Sequence, residues 1–133
     1  MAMNNPYQSY QTNAVQTASP GELTLMLYNG CLKFIAQAKK AIEEKDIEAR
    51  NTNLLKAQKI IQELMVTLNM EYEVAKSMMT MYDYIYRRLV EANIKSDISI
   101  LEEVEGYVKE FRDTWKQVIQ MNRQRQYAQG GHV

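Results

Sequence analysis

The chain has 133 residues, one cysteine, two prolines and a formal net charge of zero, 16 Lys and Arg against 16 Asp and Glu. That length is one domain and buries roughly two-thirds of its unfolded surface, so a core needs no disulfide or metal. The lone Cys31 excludes an internal disulfide framework and balanced charge argues against a broad nucleic-acid footprint, while no run of about eighteen apolar residues marks a membrane span and no basic, apolar start marks a signal peptide; a soluble, cytoplasmic protein is expected.

The first acidic or basic side chain is Glu22. Residues 1–18 form an arm rich in Asn, Gln, Ser and Thr whose two aromatics, Tyr7 and Tyr10, lie in Asn5-Pro6-Tyr7-Gln8-Ser9-Tyr10. Ordering each residue costs ~1–2 kcal/mol and burying one ring returns ~1.5–3 kcal/mol. Two rings therefore hold only a short piece of the arm, which is either plainly disordered or a displaceable tether. At ~3.3 Å per residue it reaches ~60 Å, longer than the ~35 Å of a 23-residue helix.

Ser19-Pro20-Gly21-Glu22 reads as a helix start, with Ser as N-cap, Pro at the first helical position and Glu three residues past the cap. No proline follows Pro20 and glycine is scarce before the tail, so residues 19–122 are expected to be all helical. Helix one spans about 20–44, with Leu23, Leu27, Cys31, Phe34, Ile35, Ala38 and Ile42 recurring every three or four residues. Asp46 caps helix two, about 47–68, whose stripe is Leu54, Ala57, Ile61, Leu64, Met65 and Leu68, with Asn69 as a left-handed stop. Helix three, about 71–92, turns Ala75, Met78, Met79, Tyr82, Ile85, Tyr86 and Leu89 inward and stops at Asn93. Ser96 or Asp97 caps helix four, about 98–121, where Leu101, Val104, Val108, Phe111, Trp115 and Val118 alternate steps of three and four. Residues 123–133 are expected to be a flexible tail. The connectors Ala41-Ile42-Glu43-Glu44-Lys45-Asp46-Ile47 and Ala92-Asn93-Ile94-Lys95-Ser96-Asp97-Ile98 resemble each other and are short. The expected fold is all-α, an antiparallel up-down-up-down four-helix bundle with a flexible N-terminal arm.

Apolar residues outside the stripes point to contact surfaces when they group. On helix two, Ile60 sits at one edge of the buried arc, and Leu55 and Val66 project elsewhere among Lys56, Lys59 and Glu63. On helix three, Val74, Met81 and Ala92 widen the stripe to about half the circumference, so that helix touches more than two neighbours. Either the arm or a deeper core covers this strip, or it is a groove for another helix. Met70, Met78, Met79 and Met81 favour the groove, because thioethers repack around different partners.

Catalytic chemistry is missing. The single histidine, His132, lies one residue from the end, which leaves no His-based pair and no Glu-x-x-His metal site. Cys31 falls on a buried stripe, Glu102, Glu103 and Glu105 suit a helix start, and no glycine loop cradles a phosphate. Tyr82-Asp83-Tyr84-Ile85-Tyr86-Arg87-Arg88 suggests base stacking, yet Tyr82 and Tyr86 share the core face with Leu89. The residues thus point to a binding protein without catalytic groups, metal or cofactor.

The chain resembles the flagellin-specific export chaperones, the FliS family, of the Bacillus type. The resemblance rests on Asn5-Pro6-Tyr7-x-x-Tyr10, Ser19-Pro20-Gly21-Glu22-Leu23, Met26-Leu27-Tyr28-Asn29-Gly30, Ala57-x-x-Ile60-Ile61-x-x-Leu64, Met81-Tyr82-Asp83-Tyr84, Leu89-x-x-Ala92-Asn93 and Trp115. It implies a cytoplasmic bundle that binds the disordered C-terminal segment of flagellin, prevents premature polymerisation and hands the subunit to the flagellar type III export gate. The gate and flagellar regulators are candidates for further partners, and neither nucleic acid nor membrane insertion is expected. With the apolar strip beside helices two and three, the expected client-binding residues are Tyr7, Tyr10, Leu55, Ala57, Ile60, Leu64, Val66, Val74, Met78, Met81 and Ile85. The competing expectation is a structural bundle that self-associates through the same strip.

Overall fold

The computed structural model describes residues 20–130, with side chains for residues 21–125. Four helices follow in order, α1 (Pro20–Glu43), α2 (Ile47–Thr67), α3 (Ala75–Lys95) and α4 (Ile98–Gly130), and no strand occurs among the described residues. α1 packs on α2 and α4, and α3 packs on the same two, which closes the square of an all-α, up-down-up-down bundle. α1 and α4 run antiparallel. Lys39 near the end of α1 meets Glu105 near the start of α4 at 3.1 Å, and at the other end the Trp115 indole N–H donates to the Gly21 carbonyl at 2.7 Å.

The two hairpin corners use the same device. Lys45 and Ser96 take left-handed backbone conformations, φ 58° and 51°, and the next residue's N–H reaches back five residues, Asp46 to Ala41 and Asp97 to Ala92. This closure of a helix end needs a small, buried residue beneath it, and Ala41 and Ala92 are both in the core. Asp46 then caps α2 by accepting from the Ala49 N–H, and Asp97 accepts from the Ser99 N–H and hydroxyl at the start of α4. Asn93, expected to end helix three, instead joins it to α2: its amide accepts from Arg50 Nε and donates to Asn51.

Several boundaries differ from expectation, and α3 also runs on to Lys95, past the expected stop at Asn93. α3 begins at Ala75 rather than about residue 71, and Asn69 is not left-handed. α2 ends at Thr67, whose hydroxyl bonds the Glu63 and Leu64 carbonyls, and the backbone turns extended at Leu68. The Asn69 side chain then accepts from the Glu71 N–H, a local turn that competes with a helical one and delays α3 by a full turn. α4 continues as helix to Gly130, past the expected end at Met121, because residues 122–129 contain no glycine or proline. The proposed Ser19 cap and the arm lie outside the described residues, as do residues 131–133.

The core joins Leu27, Tyr28, Cys31, Phe34, Ile35 and Ala38 of α1 to Leu54, Ala57, Ile60, Ile61 and Leu64 of α2, Tyr82, Ile85, Leu89 and Ala92 of α3, and Ile100, Leu101, Val104 and Val108 of α4. Ile60 and Ile61 point about 100° apart, yet both are buried, because α2 is flanked by α1 on one side and α3 on the other.

Candidate functional site

The apolar seam of α4 changes character along its length. Leu101, Val104 and Val108 are buried, whereas Phe111, Trp115 and Val118, next in the same pattern, are only half-buried. Antiparallel pairing sets the first turns of α3 beside this second half, and α3 starts late. At ~1.5 Å per residue α4, with 33 residues, is about 50 Å long and α3, with 21, about 32 Å. The outer half of the seam therefore lacks a full-length partner and stays open.

The opening is a cleft of two adjoining lobes, about 480 and 390 Å³. Both lobes are lined by Tyr28, Val74, Met78, Trp115 and Val118. The lobe toward the start of α1 adds Gly21, Thr24, Leu64, Leu68, Tyr72 and Tyr82; the other adds Met81, Tyr107, Glu110, Phe111 and Thr114. The loop between α2 and α3 presents Met70, Tyr72 and Val74 largely to solvent at the rim. Grouped rather than scattered, these apolar side chains mark a contact surface.

On the floor, the hydroxyls of Tyr28 and Tyr82 are 2.5 Å apart, with both rings buried. Phe111 stacks on Tyr28, centroids 6.0 Å apart, and tilts against Tyr82 at 5.6 Å. Burial raises the pKa of both phenols above their ordinary value, so both carry their protons at neutral pH. Away from the cleft the α3–α4 seam is fastened. Tyr84 donates to Glu103, Arg88 reaches Glu103 at 3.0 Å and Glu91 at 2.9 Å, and Tyr84 meets Tyr107 edge-on. The groove is thus shut near Glu103 and open near Phe111.

Of the expected binding residues, Val74, Met78, Met81 and Leu64 line this cleft. Ala57, Ile60 and Ile85 belong to the core, so the expectation of an accessible Ile60 is corrected: two flanking helices cover it. Leu55 and Val66 are exposed on α2, 46% and 81%, but line no part of the cleft. Tyr7 and Tyr10 lie outside the described residues. Sequence reasoning assigned Phe111, Trp115 and Val118 to the seam and passed over Tyr107. The available signal was an apolar seam on helix four that outlasts its partner, given the Asn69 turn chemistry before helix three.

Among the described residues no cluster of His, Cys, Asp and Glu could hold a metal ion, and no helix is long and apolar enough to cross a membrane. Cys31 is fully buried and its thiol is pushed up to about 12, the behaviour of a packing residue.

The fold is shared with a solved flagellar chaperone from bacteria, at a TM-score of 0.72 and 17% identity over 86% of this chain and 95% of that one. A bundle of this class with an open apolar seam is equipped for binding. The family model "Flagellar protein FliS" matches residues 3–122. The chain is 63% identical over 131 residues to the flagellar secretion chaperone FliS of Bacillus subtilis, covering 98% of each, and 37% identical over 109 residues to that of Salmonella typhimurium, covering 80% and 81%. The chain belongs to the FliS family of flagellar secretion chaperones.

Proposed function

We propose that this protein is a cytoplasmic chaperone that takes the C-terminal segment of flagellin into the α3–α4 cleft as an amphipathic helix, keeps the subunit from polymerising early and delivers it to the flagellar type III export apparatus. The observation that carries this reading is the cleft itself, a largely apolar groove between α3 and α4 with α1 and the end of α2 beneath it, in a member of a secretion-chaperone family. Flagellin is the client that the family resemblance implies. An unpaired amphipathic segment folds on such a groove because its apolar stripe, repeating at i, i+3, i+4 and i+7, sets side chains between the facing walls. Here the walls are Val74, Met78 and Met81 on one side and Phe111, Trp115 and Val118 on the other. Methionine adapts its shape to the client at little cost.

Gly21 and Thr24, in the first two turns of α1, line the cleft, so α1 begins at the edge of the groove. Tyr7 and Tyr10 are proposed to occupy part of the client's path and to leave when it arrives. Leu55 and Val66 are left for a second partner such as the export gate. Sedimentation of the protein with and without flagellin tests the main reading: a one-to-one complex supports it, and self-association without flagellin binding supports a purely structural bundle. Deleting residues 1–18 tests the arm. Tighter binding of a flagellin C-terminal peptide supports a cover, weaker binding a clasp, and unchanged affinity with unchanged exchange protection in α2 and α3 rejects a role for the arm.

A further inference from the structure

A tyrosine hydroxyl carries one proton and two lone pairs, so two hydroxyls bonded to each other use only one of their two protons. Tyr28 and Tyr82 form such a pair, 2.5 Å apart, on the floor of the cleft, and neither oxygen has another hydrogen-bond partner among the described residues. Both side chains are at least 98% buried, at 1% and 2% exposure, which makes a spare O–H costly to leave without an acceptor. Apolar side chains lie beside the pair, with Phe111 covering the rings and Met78 and Leu64 next to them, while Thr24, Thr67, Asn69 and Asn122 also line this lobe. A purely apolar client stripe offers that spare proton no acceptor.

We propose that the Tyr28–Tyr82 pair recognises a primary carboxamide, the side chain of an Asn or Gln set within the apolar face of the client helix, and so fixes the register of that helix in the cleft. The chemistry is reciprocal. The hydroxyl that accepts within the pair donates its own proton to the amide oxygen, and the amide N–H donates to a free lone pair on the other hydroxyl. A carboxylate would fill only the acceptor role and would lose its hydration in a largely apolar cleft, and a helix-backbone carbonyl likewise only accepts and offers no donor to the pair's free lone pair. This inference rests on the cleft being the client site.

The test is a thermodynamic cycle with a flagellin C-terminal peptide. Each Asn and Gln of the peptide is replaced in turn by Leu and titrated against the native protein and against Tyr28→Phe and Tyr82→Phe. The expected result is one peptide position whose replacement weakens binding to the native protein about tenfold or more, and whose effect shrinks to about twofold or less in the phenylalanine variants. No sensitive position, or the same loss in all three proteins, overturns the inference while leaving the client site standing. Failure of the unaltered peptide to bind the native protein at all overturns the client site and this inference with it. If neither variant folds, the replacement series on the native protein decides alone: a single sensitive carboxamide supports the pair, and none rejects it.

Discussion

Ile60→Asp and Met81→Asp separate a site on α2 from one in the α3–α4 cleft. Ile60 is 5% exposed and packed in the core, so the aspartate forfeits ~1.5–3 kcal/mol of side-chain burial. It also places a carboxylate in an apolar interior, at a cost of several kcal/mol more, which neutralisation by proton uptake relieves only in part. Against the ~5–15 kcal/mol that holds a typical domain, such a loss leaves the bundle unfolded or barely folded. Met81 is half-buried on the cleft wall, where a carboxylate reaches water, and its replacement costs at most about 1 kcal/mol of stability. In the proposed complex, the same carboxylate would face the client's apolar stripe. The lost methionine contact alone, ~1.5–3 kcal/mol, corresponds to a weakening of roughly ten- to a hundredfold. Urea denaturation followed by circular dichroism reads stability, and titration of a labelled flagellin C-terminal segment reads binding. An Ile60→Asp protein that melts like the native one and loses the client, beside a Met81→Asp protein that binds normally, would refute the cleft and return the site to α2.

Trp115→Phe removes the indole hydrogen bond to Gly21 and is expected to cost ~0.5–1.5 kcal/mol, with faster amide exchange in residues 22–27; unchanged exchange there contradicts a pinning role for Trp115. Cys31, buried and with its thiol pushed up to about 12, is expected to react with a disulfide reagent near neutral pH only as fast as the bundle opens, and at once in denaturant. Rapid labelling of the native protein would show the thiol accessible. Tyr28 and Tyr82 have folded pKa values above the ordinary value of 10.0. Their stabilising contribution is therefore complete below about pH 10, and it is lost as pH rises from there toward the folded values, since the unfolded chain gives up those protons first. Denaturation midpoints measured from pH 8 to 11 should fall at the alkaline end, less steeply in Tyr28→Phe; an equal slope in that variant would place the loss elsewhere.

The bundle was legible in the sequence because burial imposes a period on each helix that survives without knowledge of its neighbours. Leu54, Ala57, Ile61 and Leu64 declare the inward face of α2 wherever α1 and α3 lie, and Asp46 declares its start because an N-cap is satisfied within one turn. The absence of a histidine pair was equally plain, and the motifs around Tyr28, Ile60 and Tyr82 carried the family. What periodicity cannot state is how far a partner runs alongside. Phe111, Trp115 and Val118 continue the pattern of Leu101, Val104 and Val108 without a break, yet one set closes a core and the other lines a cleft. The difference was made by the turn at Asn69, which starts α3 at Ala75 and leaves the end of α4 uncovered. Ile60 shows the converse: at the edge of one buried arc it was open to an outward reading, and a second neighbouring helix enclosed it. Sequence by itself determined which face of each helix is apolar, since that follows from local spacing. Tertiary structure decided which of those faces meet, because helix length, turn geometry and flanking partners act on residues far apart in the chain.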